Sequence, residues 1–156
     1  MADTTVVGAV VSAASPWRET VAAAGFPERE EDKDERERAR KQRGGEKVER
    51  SLLVTGFGYD HDDAWATNID LFREFTDVSR GVRRLGAAAV DMCHVALGIV
   101  EAYWEYRLKP WDMAAGVLMV EEAGGAVSRM DGGKFCVFDR SVLVSNGVLH
   151  EKVSLF

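Results

Sequence analysis

The stretch Lys109-Pro110-Trp111-Asp112 is where residue type and spacing point most directly at chemistry. Pro110 sets a helix entry, because a missing N–H costs nothing in the first turn. Asp112 then falls in that turn, behind an apolar strand. Ala114, Ala115 and Gly116 follow, small enough for the helix to lie close to a sheet. Two roles fit such a carboxylate. It caps or complements the positive end of its own helix, or it projects from the sheet edge toward a hard, oxygen-seeking cation such as Mg²⁺. Upstream, Glu105 in Tyr103-Trp104-Glu105-Tyr106 reads on pattern alone as an exposed acid at a strand end. Gly86-Ala87-Ala88 opens another helix, with side chains that let a polar ligand approach the backbone N–H groups.

Other conspicuous residues have plainer readings. His94 sits mid-helix between Cys93 and Val95 and is expected to be packed or partly exposed. His61 lies in Asp60-His61-Asp62-Asp63, where adjacent acids solvate a loop and cap the next helix. Trp104 and Trp111 read as core or pocket wall. Asp131-Gly132-Gly133 is a turn rather than a phosphate cradle, since no Lys-Ser/Thr pair follows it. Cys93 and Cys136, the two cysteines of the sequence, show no metal-ligand spacing and read as small buried hydrophobes in a reducing compartment.

These residues need elements to hold them. Ser51–Thr55 is apolar and β-branched, ends at Gly56 and Gly58, and predicts a buried strand. Asp62 and Asp63 offer a cap for a helix running to about Ser79, with Trp65, Ile69, Leu71, Phe72 and Phe75 at helical spacing. Val82–Leu85 predicts a short extended piece, Ala87–Leu97 a helix stopped by Gly98, and Ile99–Tyr106 a strand. Trp111–Ala123 predicts a helix ended by Gly124-Gly125, where positive φ is cheap. Ala126–Arg129 and Val142–Ser145 are short strands, and a brief helix starts from Asn146. Strands alternating with helices give an α/β fold, a mixed sheet flanked by helices.

Ahead of these elements the texture differs. Residues 28–43 hold seven acids and seven bases, which cancel, and present no apolar face. Residues 1–43 are therefore expected to be a low-complexity or disordered leader, and 44–156 the folded domain. The 156-residue chain has a net charge of -6, which argues against nonspecific nucleic-acid binding. No apolar run approaches the roughly 18 residues that span a bilayer. The first 26 residues, rich in Ala, Val, Ser and Thr, are faintly similar to a plastid transit peptide.

Three linked motifs carry a family resemblance. Trp111-Asp112-Met113-Ala114-Ala115-Gly116, followed by Glu121-Glu122-Ala123-Gly124-Gly125, resembles the C-terminal signature of the inositol monophosphatase family. Leu85-Gly86-Ala87-Ala88-Ala89-Val90-Asp91 is similar to its glycine-alanine segment, and Ser51–Gly58 to the strand that begins this half. Tyr59-Asp60-His61-Asp62-Asp63-Ala64-Trp65 looks most like the plant plastid branch, which implies a chloroplast location in place of a cytoplasmic one. The resemblance covers about residues 46–156. It implies the C-terminal half of an α/β/α/β/α layered sandwich and Mg²⁺-dependent hydrolysis of an inositol phosphate or related small ester, in a homodimer. It also implies Asp112 as a metal ligand, Glu105 as the acid that contacts ring hydroxyls, and Gly86, Ala87 and Ala88 as backbone contacts to substrate.

In the family most metal ligands come from an N-terminal half, through a paired-glutamate motif and an Asp-Pro-x-Asp-Gly-Thr motif, and neither occurs in this sequence. One carboxylate holds Mg²⁺ poorly, because the ion gives up its waters reluctantly. The chain is accordingly expected to be a truncated form, inactive alone. The alternative expectation is a non-catalytic half-domain that pairs with a full-length relative or another partner.

Overall fold

The computed structural model describes residues 46–156; the expected leader and its charge run lie outside the described residues. A single 3₁₀ turn, Val48–Arg50, leads into β1 (Leu52–Thr55). Then come α1 (Asp63–Val78), β2 (Gly81–Arg83), α2 (Ala88–Ala96) and β3 (Ala102–Tyr106). The chain continues with α3 (Pro110–Glu122), β4 (Ala126–Ser128), β5 (Ser141–Ser145) and α4 (His150–Ser154). The strands form one mixed sheet in the order β2-β1-β3-β5-β4. β1 is parallel to both β2 and β3, and the β5 pairings are antiparallel.

The expected elements form, with displaced ends. Ile99–Glu101 do not join β3, and the last helix starts at His150 instead of Asn146. The reason lies in Asn146, whose side-chain oxygen accepts from the N–H groups of Val148 and Leu149 at 3.0 and 3.1 Å, making a turn of its own before the helix. Asp62 is the N-cap of α1, its side chain accepting from Trp65 N–H at 3.1 Å. Gly98 and Gly124 both have positive φ, as helix stops require.

Alternation along the strands separates two apolar layers. Leu53, Ala102, Trp104 and Leu143 face α1 and α4, packing on Leu71, Phe75, Leu149 and Val153. Phe75 and Trp104 meet at 4.6 Å between ring centroids. Val54, Tyr103, Val142 and Val144 face the other way, against Met92 and Val95 of α2 and Met113, Val117 and Val120 of α3. Each buried side chain of this size is worth about 1.5–3 kcal/mol relative to exposure. The result is a three-layered α/β/α unit.

Two expectations about side chains do not hold. Trp111 is 77% exposed, neither core nor wall, because it occupies the outward side of the first turn of α3 while Met113 turns inward. Cys93 and Cys136 are free but only half-buried. The outward faces of α2 and α3 also expose Val90, Leu118 and Met119. Among the described residues no helix is long and apolar enough to cross a membrane.

Candidate functional site

β1 and β3 are parallel neighbours whose chains leave in opposite directions. After β1 the chain passes to α1 on one face of the sheet; after β3 it passes to α3 on the other. Such a divergence opens a crevice outside the carboxyl ends of the two strands, where open α/β sheets bind ligands. The loops that edge it are residues 56–62 and 107–109. Arg107 and Asp62 tie these loops together by an ion pair. Arg107 has φ of 66°, an uncommon conformation for a non-glycine residue, while its N–H donates to Arg140 O at 2.8 Å.

Glu105 sits at this end of β3 and is 9% exposed, not the open strand-end acid that its position in the sequence suggests. Register explains the burial. Thr55 lies opposite Trp104, so Gly56 falls beside Glu105 on the face that carries Val54 and Tyr103. The Glu105 carboxylate fills the space in which a side chain at Gly56 would start. Tyr103, two residues earlier and on the same face, donates its hydroxyl to Glu105 Oε2. Burial holds the Glu105 carboxyl above the usual carboxylate range; the Tyr103 hydrogen bond and the Arg84 charge pull it down, while Asp91 and Asp112 push it up. Burial and the adjacent Glu105 push the Tyr103 phenol up, so it remains a donor.

The helix start expected at Gly86-Ala87-Ala88 forms there. Gly86 adopts φ of 91°, Ala87 is the N-cap of α2, and Ala88 is the first helical residue. Ala87 has no capping side chain, so the first N–H groups of this helix are left to other partners. Deeper in α2, Asp91 is fully buried, and neither of its carboxylate oxygens has a hydrogen-bond partner among the described residues.

Asp112 lies in the first turn of α3 and is half-buried. Its Oδ2 accepts from Lys109 N–H at 2.9 Å, so the capping role is filled. Oδ1 remains available, and the two roles weighed for this residue are compatible. Among the described residues no three acids, histidines or cysteines converge in a way that holds a metal ion. The described residues do not by themselves fit Mg²⁺; Asp112 offers one oxygen.

A second polar network stiffens the same end of the sheet from behind. Asn68 of α1 donates to Gly56 O at 2.6 Å and accepts from Trp104 Nε1 at 2.6 Å. Thr55 Oγ1 donates to Trp104 O at 2.8 Å. Both residues are buried, so these bonds fix the Gly56 backbone on which Glu105 rests. Sequence reading passed over Asn68, Tyr103 and Asp91. A signal was present for the last two: Tyr103 and Glu105 alternate onto one face of a strand, and Asp91 is a lone acid in an apolar helix. His61 stacks on Trp65 at 4.5 Å between ring centroids.

A model described as the inositol monophosphatase family matches residues 5–154 of the chain. The chain is 87% identical over 106 residues to the chloroplastic phosphatase IMPL1 of Arabidopsis thaliana, covering 68% of this chain and 29% of the plant protein. It is 43% identical over 107 residues to an inositol-1-monophosphatase of Synechocystis sp., covering 69% of this chain and 37% of the cyanobacterial one. Among solved structures it resembles an inositol monophosphatase from Anabaena, with a TM-score of 0.65 and 41% identity over 70% of this chain and 44% of that one. The chain thus spans less than half the length of these relatives.

Proposed function

Because the chain belongs to the inositol monophosphatase family, we propose that its described part supplies the polyol-recognising side of a Mg²⁺-dependent phosphomonoesterase. The substrate class is an inositol phosphate or a related small phosphate ester. One observation carries this reading: a buried, hydrogen-bonded carboxylate, Glu105, at the carboxyl end of β3, where the chain diverges from β1. A carboxylate held in this way accepts hydrogen bonds from hydroxyls, the groups a polyol ester presents beside its phosphate. Backbone N–H groups from Gly86, Ala87 and Ala88 face a polar ligand from the start of α2. In this reading Asp112 offers the metal one carboxylate oxygen, too few to hold Mg²⁺ on its own. A chloroplast location and a homodimeric assembly belong to the same reading, the first supported by the name of the plant relative.

A second reading is favoured by one specific observation, the absence of a three-ligand cluster among the described residues. In it the chain is a non-catalytic half-domain that pairs with a fuller relative, and the exposed Val90, Leu118 and Met119 supply apolar surface for the contact. A phosphate-release assay of the 156-residue chain with Mg²⁺ and inositol 1-phosphate separates the two. Turnover near ~1 s⁻¹, within the ordinary enzymatic range, establishes a phosphatase. Background release that a purified relative does not change defeats the catalytic reading for this chain alone and leaves no sign of pairing.

A further inference from the structure

Asp91 is an acid in a place that does not suit a charge. It has no solvent exposure, and no donor meets hydrogen-bonding geometry at either oxygen among the described residues, although the Ala87 backbone lies close enough to favour its charge. An isolated ionised carboxylate is so costly in such surroundings that the group takes up a proton instead. Glu105, a short way off on β3, has the one thing Asp91 lacks, a buried donor in Tyr103.

We propose that Asp91 is a positioning residue that works as a neutral acid behind Glu105, so that of these two neighbouring acids only Glu105 carries a charge. Asp91 on the inner side of α2 and Glu105 on β3 face the same layer, in which Met92 and Val95 pack on Tyr103. The Asp91 charge, when present, acts on both Tyr103 and Glu105. The ionisable groups around the pair are His94 on α2 itself, Tyr103 on β3, Asp112 on α3 and Arg84 ahead of α2. Burial raises the Asp91 carboxyl, against smaller opposing effects from the Ala87 backbone and His94. Two carboxyl groups whose surroundings differ in this way divide their roles: the one with a donor ionises first and the other holds its proton. A second charge beside Glu105 would repel it from its seat on Gly56 and strip its hydrogen bond to Tyr103. In giving Glu105 a substrate hydroxyl to meet, the inference rests on the function proposed above, but Asp91's proton can be measured without turnover.

The test compares the full chain with its Asp91→Asn variant by chemical denaturation between pH 4 and 8, where Asn stands in for the neutral acid. The sign follows from linkage. An acid whose folded pKa is raised contributes full stability below its ordinary value of 3.8 and loses it as pH rises toward the folded value. The unfolding constant of the wild type, divided by that of the variant, should rise with pH above the ordinary value of 3.8, by up to about tenfold per pH unit while the folded acid keeps its proton. Carboxyl ¹³C NMR gives a second readout on the wild type alone: Asp91 loses its protonated shift only after Glu105 has titrated. In the variant, Glu105 titrates at the wild-type midpoint. A ratio that is flat across this range overturns the proposal. So does an Asp91 resonance that titrates before that of Glu105.

Discussion

The carboxylate of Glu105 occupies the side-chain space of Gly56, so that a buried acid at the end of β3 and the glycine that follows β1 share one volume. Register places them side by side, since the Thr55–Trp104 pairing precedes them by one residue on each strand. Glycine at 56 is therefore a packing requirement; its conformational freedom is not the point, as it is absent from the positive-φ positions.

Gly56→Ala should force Glu105 out of its seat. Overpacking of a filled core costs about 1–3 kcal/mol, and loss of the Tyr103 contact adds to it. Urea denaturation of the variant against wild type measures the loss. A stability change within experimental error would mean that Glu105 has another place to go.

Tyr103→Phe keeps the ring and removes the donor. Glu105 is then buried without its hydrogen bond from Tyr103, for which a cost of about 1–3 kcal/mol is expected. The Glu105 midpoint should also move up, because that bond is the larger of the two influences that oppose burial, ahead of the Arg84 charge. Carboxyl ¹³C NMR reads the shift directly, and a midpoint that fell would contradict the arrangement described.

Asp112 and Glu105 are separable in a complete phosphatase carrying this half. Asp112→Asn retains an oxygen for Lys109 N–H, so stability without metal should change by no more than about 1 kcal/mol, the scale of one helix-end interaction. Activity should fall by several orders of magnitude if the lost charge held a cation. Glu105→Gln should mainly raise KM for a polyol phosphate and spare an ester without ring hydroxyls. Normal Mg²⁺ dependence in Asp112→Asn, with several kcal/mol of lost stability, would leave the residue as a cap only.

The C-terminal helix should loosen below neutral pH. His150 Nε2 and Nδ1 lie 2.9 Å from Ser128 Oγ and Ser145 Oγ. Ser128 gives its hydrogen to Arg129 O at 2.7 Å, so it accepts from Nε2–H, and Nδ1 accepts from Ser145; the ring in this network is neutral. Burial lowers the His150 pKa from 6.5. The unfolded chain then binds the proton first, so this contribution is intact above about pH 6.5 and is lost as pH falls from there toward the folded value. His150→Gln should flatten that limb of the stability profile, and an unchanged slope would assign it to other groups.

Much of the fold was legible because its elements are locally consistent. Asp62 caps α1 as its spacing indicates, and glycines 98 and 124 stop helices where they stand. Glu105 was misjudged from pattern alone because its burial depends on a glycine 49 positions away in the sequence, a relation that only strand pairing creates. Trp111 was misjudged because size and apolarity do not say which side of a first turn a residue takes. Of the two roles that the sequence offers Asp112, the structure fills the cap, with Oδ2 accepting from Lys109 N–H.

Met92 of α2 fills a notch at Gly116 of α3, where any added carbon would strike the sulfur or its neighbouring carbons. The starts of these two helices carry Ala87-Ala88 and Asp112, so the notch acts as a gauge block, setting the gap between backbone donors and carboxylate. A tolerance is implied for descent with change: the bulk at 92 and the emptiness at 116 should be exchanged together or not at all.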